Sequence, residues 1–325
     1  MSAHPPRPRP QATPDIQQVL DALVEHLDYV LDSFHAFGLS TKWEAGDEDA
    51  PAERDKREAH RHLGPAGPWS RELFDWAHAA AVLHTSMASQ LLSGLQTLVA
   101  DREVMFAPAP IVRSLLENCG FVCWLIYPGE PYTGRRVKAE GGRLLEGWGP
   151  RRRGARAYLT RVEDLTHRKA VAKALNHPNL PQLGRQLRTI RREWLHELFY
   201  DSEIDKTDGG QIVLRGETYP ALRELASWVE RLEGANWNSS AVYAILSRGT
   251  HPSFTHLSEF VTRTADGEPG RWQLDDAKYI YRLIRAAILT FTSAWRLVAA
   301  YLGQPQDKPR ALAQAFDQDS RFDGL

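Results

Sequence analysis

The sequence predicts an all-α protein, a multi-helix bundle of about eight helices with a minor β-hairpin or ordered-loop excursion. Three observations lead there. Apolar residues recur at three- and four-residue steps through most of the chain. Gly- and Pro-rich stretches separate these periodic segments. Only "GGQIVLRGETY" and "FVTRTADGEPGRWQL" combine β-branched residues with turn chemistry. No internal repeat of solenoid length is present.

The elements follow in order. Ile16, Val19, Leu20, Leu23, Leu27, Val30, Leu31 and Phe34 form one apolar stripe, with Asp15 as N-cap of the helix. Residues 38–68 are charged and rich in Gly and Pro, and predict a mobile loop with at most a short helix. "SRELFDWAHAAAVLHTSMASQLLSGLQTLVA" predicts a long helix capped by Ser70. "PAPIVRSLLENCGFVCWLIYP" has Pro110 in its first turn, ends before Pro128 and is apolar on most faces, so it is expected at the centre of the bundle. Residues 130–148 and 155–176 predict two more helices, the second amphipathic and basic, followed by "PQLGRQLRTIRREWLHELFY". "GGQIVLRGETY" predicts a short strand or ordered loop. "YPALRELASWVERLEG" and "SSAVYAILSRGT" return to helix, and residues 260–274 predict a small hairpin or long loop. The last long helix starts at Asp275 or Asp276 and stops at Gly303. One helical domain over 15–303 is therefore expected. A disordered Pro-rich leader over 1–14 precedes it, and a polar tail over 304–325, able to fold back as a short helix, follows.

Composition narrows the function classes. The 325 residues carry a formal charge of −1 and 42% hydrophobic residues, enough for a sizeable core and without a global basic field. The two cysteines, Cys119 and Cys123, lie one helical turn apart in an apolar segment, the pattern of buried free thiols. No continuous apolar run long enough to span a bilayer was found, and the leader lacks the apolar stretch of a secretory signal, so a cytoplasmic chain without a membrane is expected. No P-loop, Gly-x-Gly-x-x-Gly or Gly-x-Ser-x-Gly occurs, and no cofactor is expected.

Two segments hold the candidate site. Arg113 and Glu117 are four apart in the most apolar helix, where a charge drawn inward must find a partner. Asn118 stands beside them. Tyr243, Ser247 and His251 recur at four-residue steps and line one face of a helix that ends at Pro252. A histidine at a helix C-terminus meets carbonyls that favour its cation, so His251 is either a structural cap or a titrating partner of Glu117.

"RSLLENCGFVCWL" in an early helix and "YAILSRGTHPS" in a late one resemble bacterial helical proteins of unknown function related to the HEPN-like families (higher eukaryotes and prokaryotes nucleotide-binding). The resemblance covers roughly residues 70–300. It implies RNA or nucleotide binding with metal-independent RNA cleavage, a homodimer and a defence or stress role. The family's Arg and His correspond here to Arg248 with His251, with two residues between them, or to Arg248 with His256, beyond Pro252. In that chemistry His251 exchanges a proton with a ribose hydroxyl or leaving oxygen, and Arg248 or Arg113 stabilises phosphate charge.

Other readings stay open. Asp32/His35, Asp75/His78, Asp164/His167 and Glu193/His196 have the acidic-x-x-His spacing of di-metal carboxylate oxidases. "GWGPRRRGARAYLTRVEDLTHRK" is either a solvated basic face or a phosphate-contacting one. The ten tryptophans, Trp124, Trp228, Trp237, Trp272 and Trp295 among them, suit a core and equally a bundle that binds a partner protein and catalyses nothing.

Overall fold

The computed structural model describes residues 14–57, 69–102, 108–127, 145–207, 210–233, 243–244, 246–247 and 274–323. They form an all-α bundle with one small antiparallel hairpin. Helix α1 runs Pro14–Thr41, α2 Pro51–Arg57, α3 Trp69–Ala100, α4 Pro108–Ile126 and α5 Leu145–Ala174. Helix α6, Leu180–Thr189, continues through a π-helical turn, Ile190–Trp194, into the short α7, Leu195–Leu198. Strands β1, Ile204–Lys206, and β2, Ile212–Leu214, pair with Asp205 opposite Val213. Helix α8 covers Leu222–Glu233, α9 Leu274–Tyr301 and α10 Asp307–Asp317.

The apolar stripe of α1 is buried from Ile16 to Phe34. Helix α4 sits at the centre, packed on α3, α8, α9 and α5. Its approach to α8 is close enough that a Cβ on Gly120 would overlap the Leu225 carbonyl. Trp124, Trp228 and Trp295 are buried, so these three fill the core. Trp237 and Trp272 lie outside the described residues. Cys119 and Cys123 are buried free thiols, and burial pushes the Cys119 thiol well up from its ordinary range.

Several boundaries differ from expectation. Helices α1, α3 and α9 begin at Pro14, Trp69 and Leu274, which places Asp15, Ser70, Asp275 and Asp276 inside first turns instead of at caps. Gly303 does end α9, with φ of 65°. The tail does fold back, as α10. The hairpin lies at 204–214; residues 260–273 of the other expected hairpin fall outside the described residues, as do 128–144, so α5 is seen as one helix from Leu145. The π turn frees the Ile190 carbonyl, which accepts from the buried Tyr158 hydroxyl at 3.0 Å.

By length and composition two helical stretches, Pro108–Ile126 and Ala277–Tyr301, are apolar enough to cross a membrane, contrary to expectation. Inside the bundle 67% and 72% of their most apolar windows are buried, so packing already covers most of that surface.

The largest departure concerns the basic stretch of α5. Arg152, Arg153 and Arg156 are buried, not a solvated or phosphate-facing comb. Arg153 grips Asp55 through Nε at 2.5 Å and Nη2 at 2.7 Å, which ties down residues 42–57 of the predicted mobile loop. Arg156 Nη1 donates to the Trp124 and Tyr127 carbonyls at 2.7 and 2.9 Å, and its Nη2 to Glu217 Oε1 at 2.8 Å. Its guanidinium also lies 4.9 Å from the Trp228 ring centre. Glu217 is delivered by a tight turn with positive φ at Arg215 and Gly216, closed by paired backbone bonds between Leu214 and Glu217.

A charge buried without its partner is costly, so Arg156→Met is expected to destabilise the fold by about 3–5 kcal/mol. Arg156→Met combined with Glu217→Leu should recover much of that in urea unfolding.

Candidate functional site

Helix α4 has one open stripe. From Pro108 to Ile126 every residue is buried except Pro110, Ile111, Arg113, Ser114, Glu117 and Asn118. Those six share one face at three- and four-residue steps, in the N-terminal half of the helix. The other half is buried, with Gly120 against α8, Phe121 against His84 of α3 and the Trp124 carbonyl bonded by Arg156 of α5.

Arg113, Glu117 and Tyr243 close a three-membered ring of hydrogen bonds on that stripe. Arg113 Nε donates to Glu117 Oε1 at 3.0 Å, and Arg113 Nη2 donates to the Tyr243 hydroxyl at 3.1 Å. The hydroxyl in turn donates to Glu117 Oε1 at 2.9 Å. The guanidinium also lies over the Tyr243 ring, 5.1 Å from its centre. The Arg113 and Glu117 side chains remain 22% and 20% exposed, so the pair is reachable from solvent. A bond to a charged group contributes about 1.5–3 kcal/mol when fully buried, and less where water screens it as here.

The electrostatics assign roles. The Glu117 bond holds the Arg113 guanidinium above its ordinary range. Burial, then the Glu117 carboxylate, pushes the Tyr243 phenol up. Tyr243 is thus a protonated donor at neutral pH, not a nucleophile or base. Arg113 is a fixed cation held in plane by two neighbours. The predicted meeting of the two distant segments is present for Arg113, Glu117 and Tyr243. Ser247 is helical, half-buried and one turn beyond Tyr243. Arg248, His251 and His256 lie outside the described residues.

A second polar pair on the same stripe was not anticipated. His84 of α3 places Nδ1 2.8 Å from Asn118 Oδ1, while Asn118 Nδ2 donates to the Ser114 carbonyl at 2.8 Å. The imidazole lies against Phe121, with ring centres 4.3 Å apart. Burial holds it below the ordinary imidazole range. The sequence carried a signal: Ala77, Ala80, Ala81 and Ala88 mark where α3 meets a neighbour closely, and His84 borders that strip.

The acidic-x-x-His pairs do not converge. His78 bonds the Trp43 carbonyl at 2.9 Å, His196 meets Asp201 at 3.2 Å, and Asp32 and His35 are exposed on α1. Among the described residues no group of three or more His, Cys, Asp or Glu side chains is placed to hold a metal ion. A groove of about 400 Å³ between α9 and α10, lined by Thr292, Ser293, Arg296, Arg310 and Gln314, contains none of the predicted site residues.

Compared with family models, curated proteins and solved structures, the chain matches none of them.

His78 and His84 are both held below the ordinary imidazole range, burial being the first cause for each. The unfolded chain therefore binds protons below about pH 6.5 that the folded chain refuses. Stability is complete above that value and falls as pH drops through the window towards the lowered folded values. Urea midpoints between about pH 7.5 and 5 should show the loss, and His84→Phe should make it shallower.

Proposed function

We propose that this bundle engages RNA or free nucleotides on the open stripe of α4, with Arg113 as the partner of a phosphate. The supporting observation is the preorganisation of that guanidinium. Glu117 and Tyr243 fix its plane while a fifth of the side chain meets solvent. A fixed guanidinium loses little freedom on binding an anion, and its fork suits phosphate oxygens.

Glu117 has two effects in this reading. It orients Arg113 and also opposes the approach of an anion, so affinity for a lone phosphate is held low. Selectivity then depends on what else the ligand contacts. The protonated Tyr243 spends its one hydrogen on Glu117 and accepts from Arg113, so it braces the pair and leaves the phosphate to the guanidinium.

Metal-independent cleavage, a homodimer and a defence or stress setting are the parts of the proposal that rest on the HEPN-like resemblance. Cleavage assigns proton transfer to His251 and charge stabilisation to Arg248. Nucleotide binding does not need them. It also separates this reading from a bundle that binds only a partner protein, which has no nucleotide affinity for Arg113 to influence.

Titration calorimetry with 5′-AMP and with a short single-stranded RNA tests it. Arg113→Gln should lower affinity at least tenfold, the scale of one lost charged hydrogen bond. Glu117→Gln should raise affinity for inorganic phosphate. With one phosphate neutralised, the logarithm of RNA affinity should fall with log salt at a slope of about −0.7. Wild-type protein that binds neither probe at low salt refutes the reading.

A further inference from the structure

The tautomer of His84 is fixed by its neighbours. Asn118 Nδ2 points at the Ser114 carbonyl, so the amide oxygen faces the ring. Turning the amide over would set its oxygen against the Ser114 oxygen, two acceptors face to face. An amide oxygen only accepts, so the imidazole Nδ1 carries the hydrogen. A neutral ring with hydrogen on Nδ1 presents a lone pair at Nε2, and no described residue bonds that nitrogen.

Two other histidines show the contrast. His26 and His78 both engage Nε2, with Asp319 at 2.7 Å and with the Trp43 carbonyl at 2.9 Å. His84 is bound by its other nitrogen. The packing that holds its ring, against Phe121, places it one turn of α4 beyond Glu117 and two turns beyond Arg113. Two turns are about 11 Å along the axis. That separation is comparable with the reach of a nucleoside monophosphate from its phosphate to the far edge of its base.

We propose that His84 reads the base of a nucleotide bound on α4, its Nε2 accepting a hydrogen bond from an exocyclic amino group while Arg113 takes the phosphate. This rests on the nucleotide reading above and adds its specificity. A lone pair aimed at the base edge favours an amino group, as on adenine, and repels a carbonyl at the same position. His84 is therefore a selectivity determinant. A ligand with a phosphate acceptor at one end and an amino donor at the other satisfies the site; one with a carbonyl at the base edge sets two acceptors against each other.

The test compares 5′-AMP with inosine 5′-monophosphate, which bears a carbonyl where adenine has its amino group and a hydrogen on N1 where adenine has a lone pair. Calorimetry on the full wild-type chain should show AMP bound about tenfold more tightly, the equivalent of one hydrogen bond. His84→Phe keeps a ring against Phe121 and should abolish the preference by weakening AMP. Equal binding of the two nucleotides by wild-type protein overturns the inference and leaves the nucleotide reading standing, as does a preference that survives in His84→Phe. Failure of wild-type protein to bind either nucleotide overturns both. Nitrogen-15 shifts of His84 in the unmodified chain give a second readout that does not depend on the variant folding. Nδ1 should be protonated, Nε2 bare, and the Nε2 signal should move when AMP is added. Hydrogen on Nε2, or a signal unmoved at saturating AMP, overturns the inference.

Discussion

A guanidinium with no solvent exposure ends the central helix. Helix α4 is apolar over most of its surface and finishes inside the bundle, where its last carbonyls have no helical donors. Arg156 supplies them, bonding the Trp124 and Tyr127 carbonyls with one nitrogen and Glu217 with another. Three elements are joined at that point: the end of α4, the body of α5 and the tight turn after β2. The Trp228 ring of α8 lies against the same cation. Moving any of them would leave a charge or a carbonyl in apolar surroundings, at a cost of several kcal/mol.

That closure determines where the molecule is open. With its second half enclosed, α4 meets solvent only along the stripe from Pro110 to Asn118. Polar residues on such a stripe are half-buried and need partners, and they find them beyond their own helix. Arg113 and Glu117 take Tyr243, which is 130 residues from Arg113 in the chain. Asn118 takes His84 from α3. The result is a set of oriented groups on α4, with the Arg113 cation in one hydrogen-bonded cluster and the His84 imidazole in the next. It is the arrangement on which the proposed nucleotide binding rests. Its groups are held by packing and by one another, so little ordering remains for a ligand to induce.

Much of this was legible from residue periodicity. The apolar stripe of α1, the central place of α4, the stop at Gly303 and the fold-back of the tail follow from local spacing and capping chemistry. The Arg113–Glu117 pair followed from a four-residue step in an apolar helix. The need of a half-buried charge for a partner pointed to the helix of Tyr243, Ser247 and His251, but the partner named from the sequence was His251, outside the described residues, and the one observed is Tyr243. The arginines of α5 were opaque for a physical reason. Whether a charge is internal depends on its partner, and Asp55 and Glu217 lie 98 and 61 residues from the arginines they bind. Locally, "PRRRGAR" has the look of a solvated surface. The strand Ile204–Lys206 escaped because "IDK" has no alternation to recognise, and its pairing with Ile212–Leu214 is set by the turn chemistry around it. His84 escaped because the alanine strip beside it marks a close helix contact without saying which helix lies there.

The central claim is that residues from the middle and last thirds of the chain meet on α4 and are energetically coupled there. A double-mutant cycle on Glu117→Gln and Tyr243→Phe, followed by urea unfolding, measures that coupling without reference to any ligand. The structure requires an interaction energy of about 0.5–3 kcal/mol between the two positions. Effects that add to within about 0.3–0.5 kcal/mol, the behaviour of independent distant sites, would contradict it.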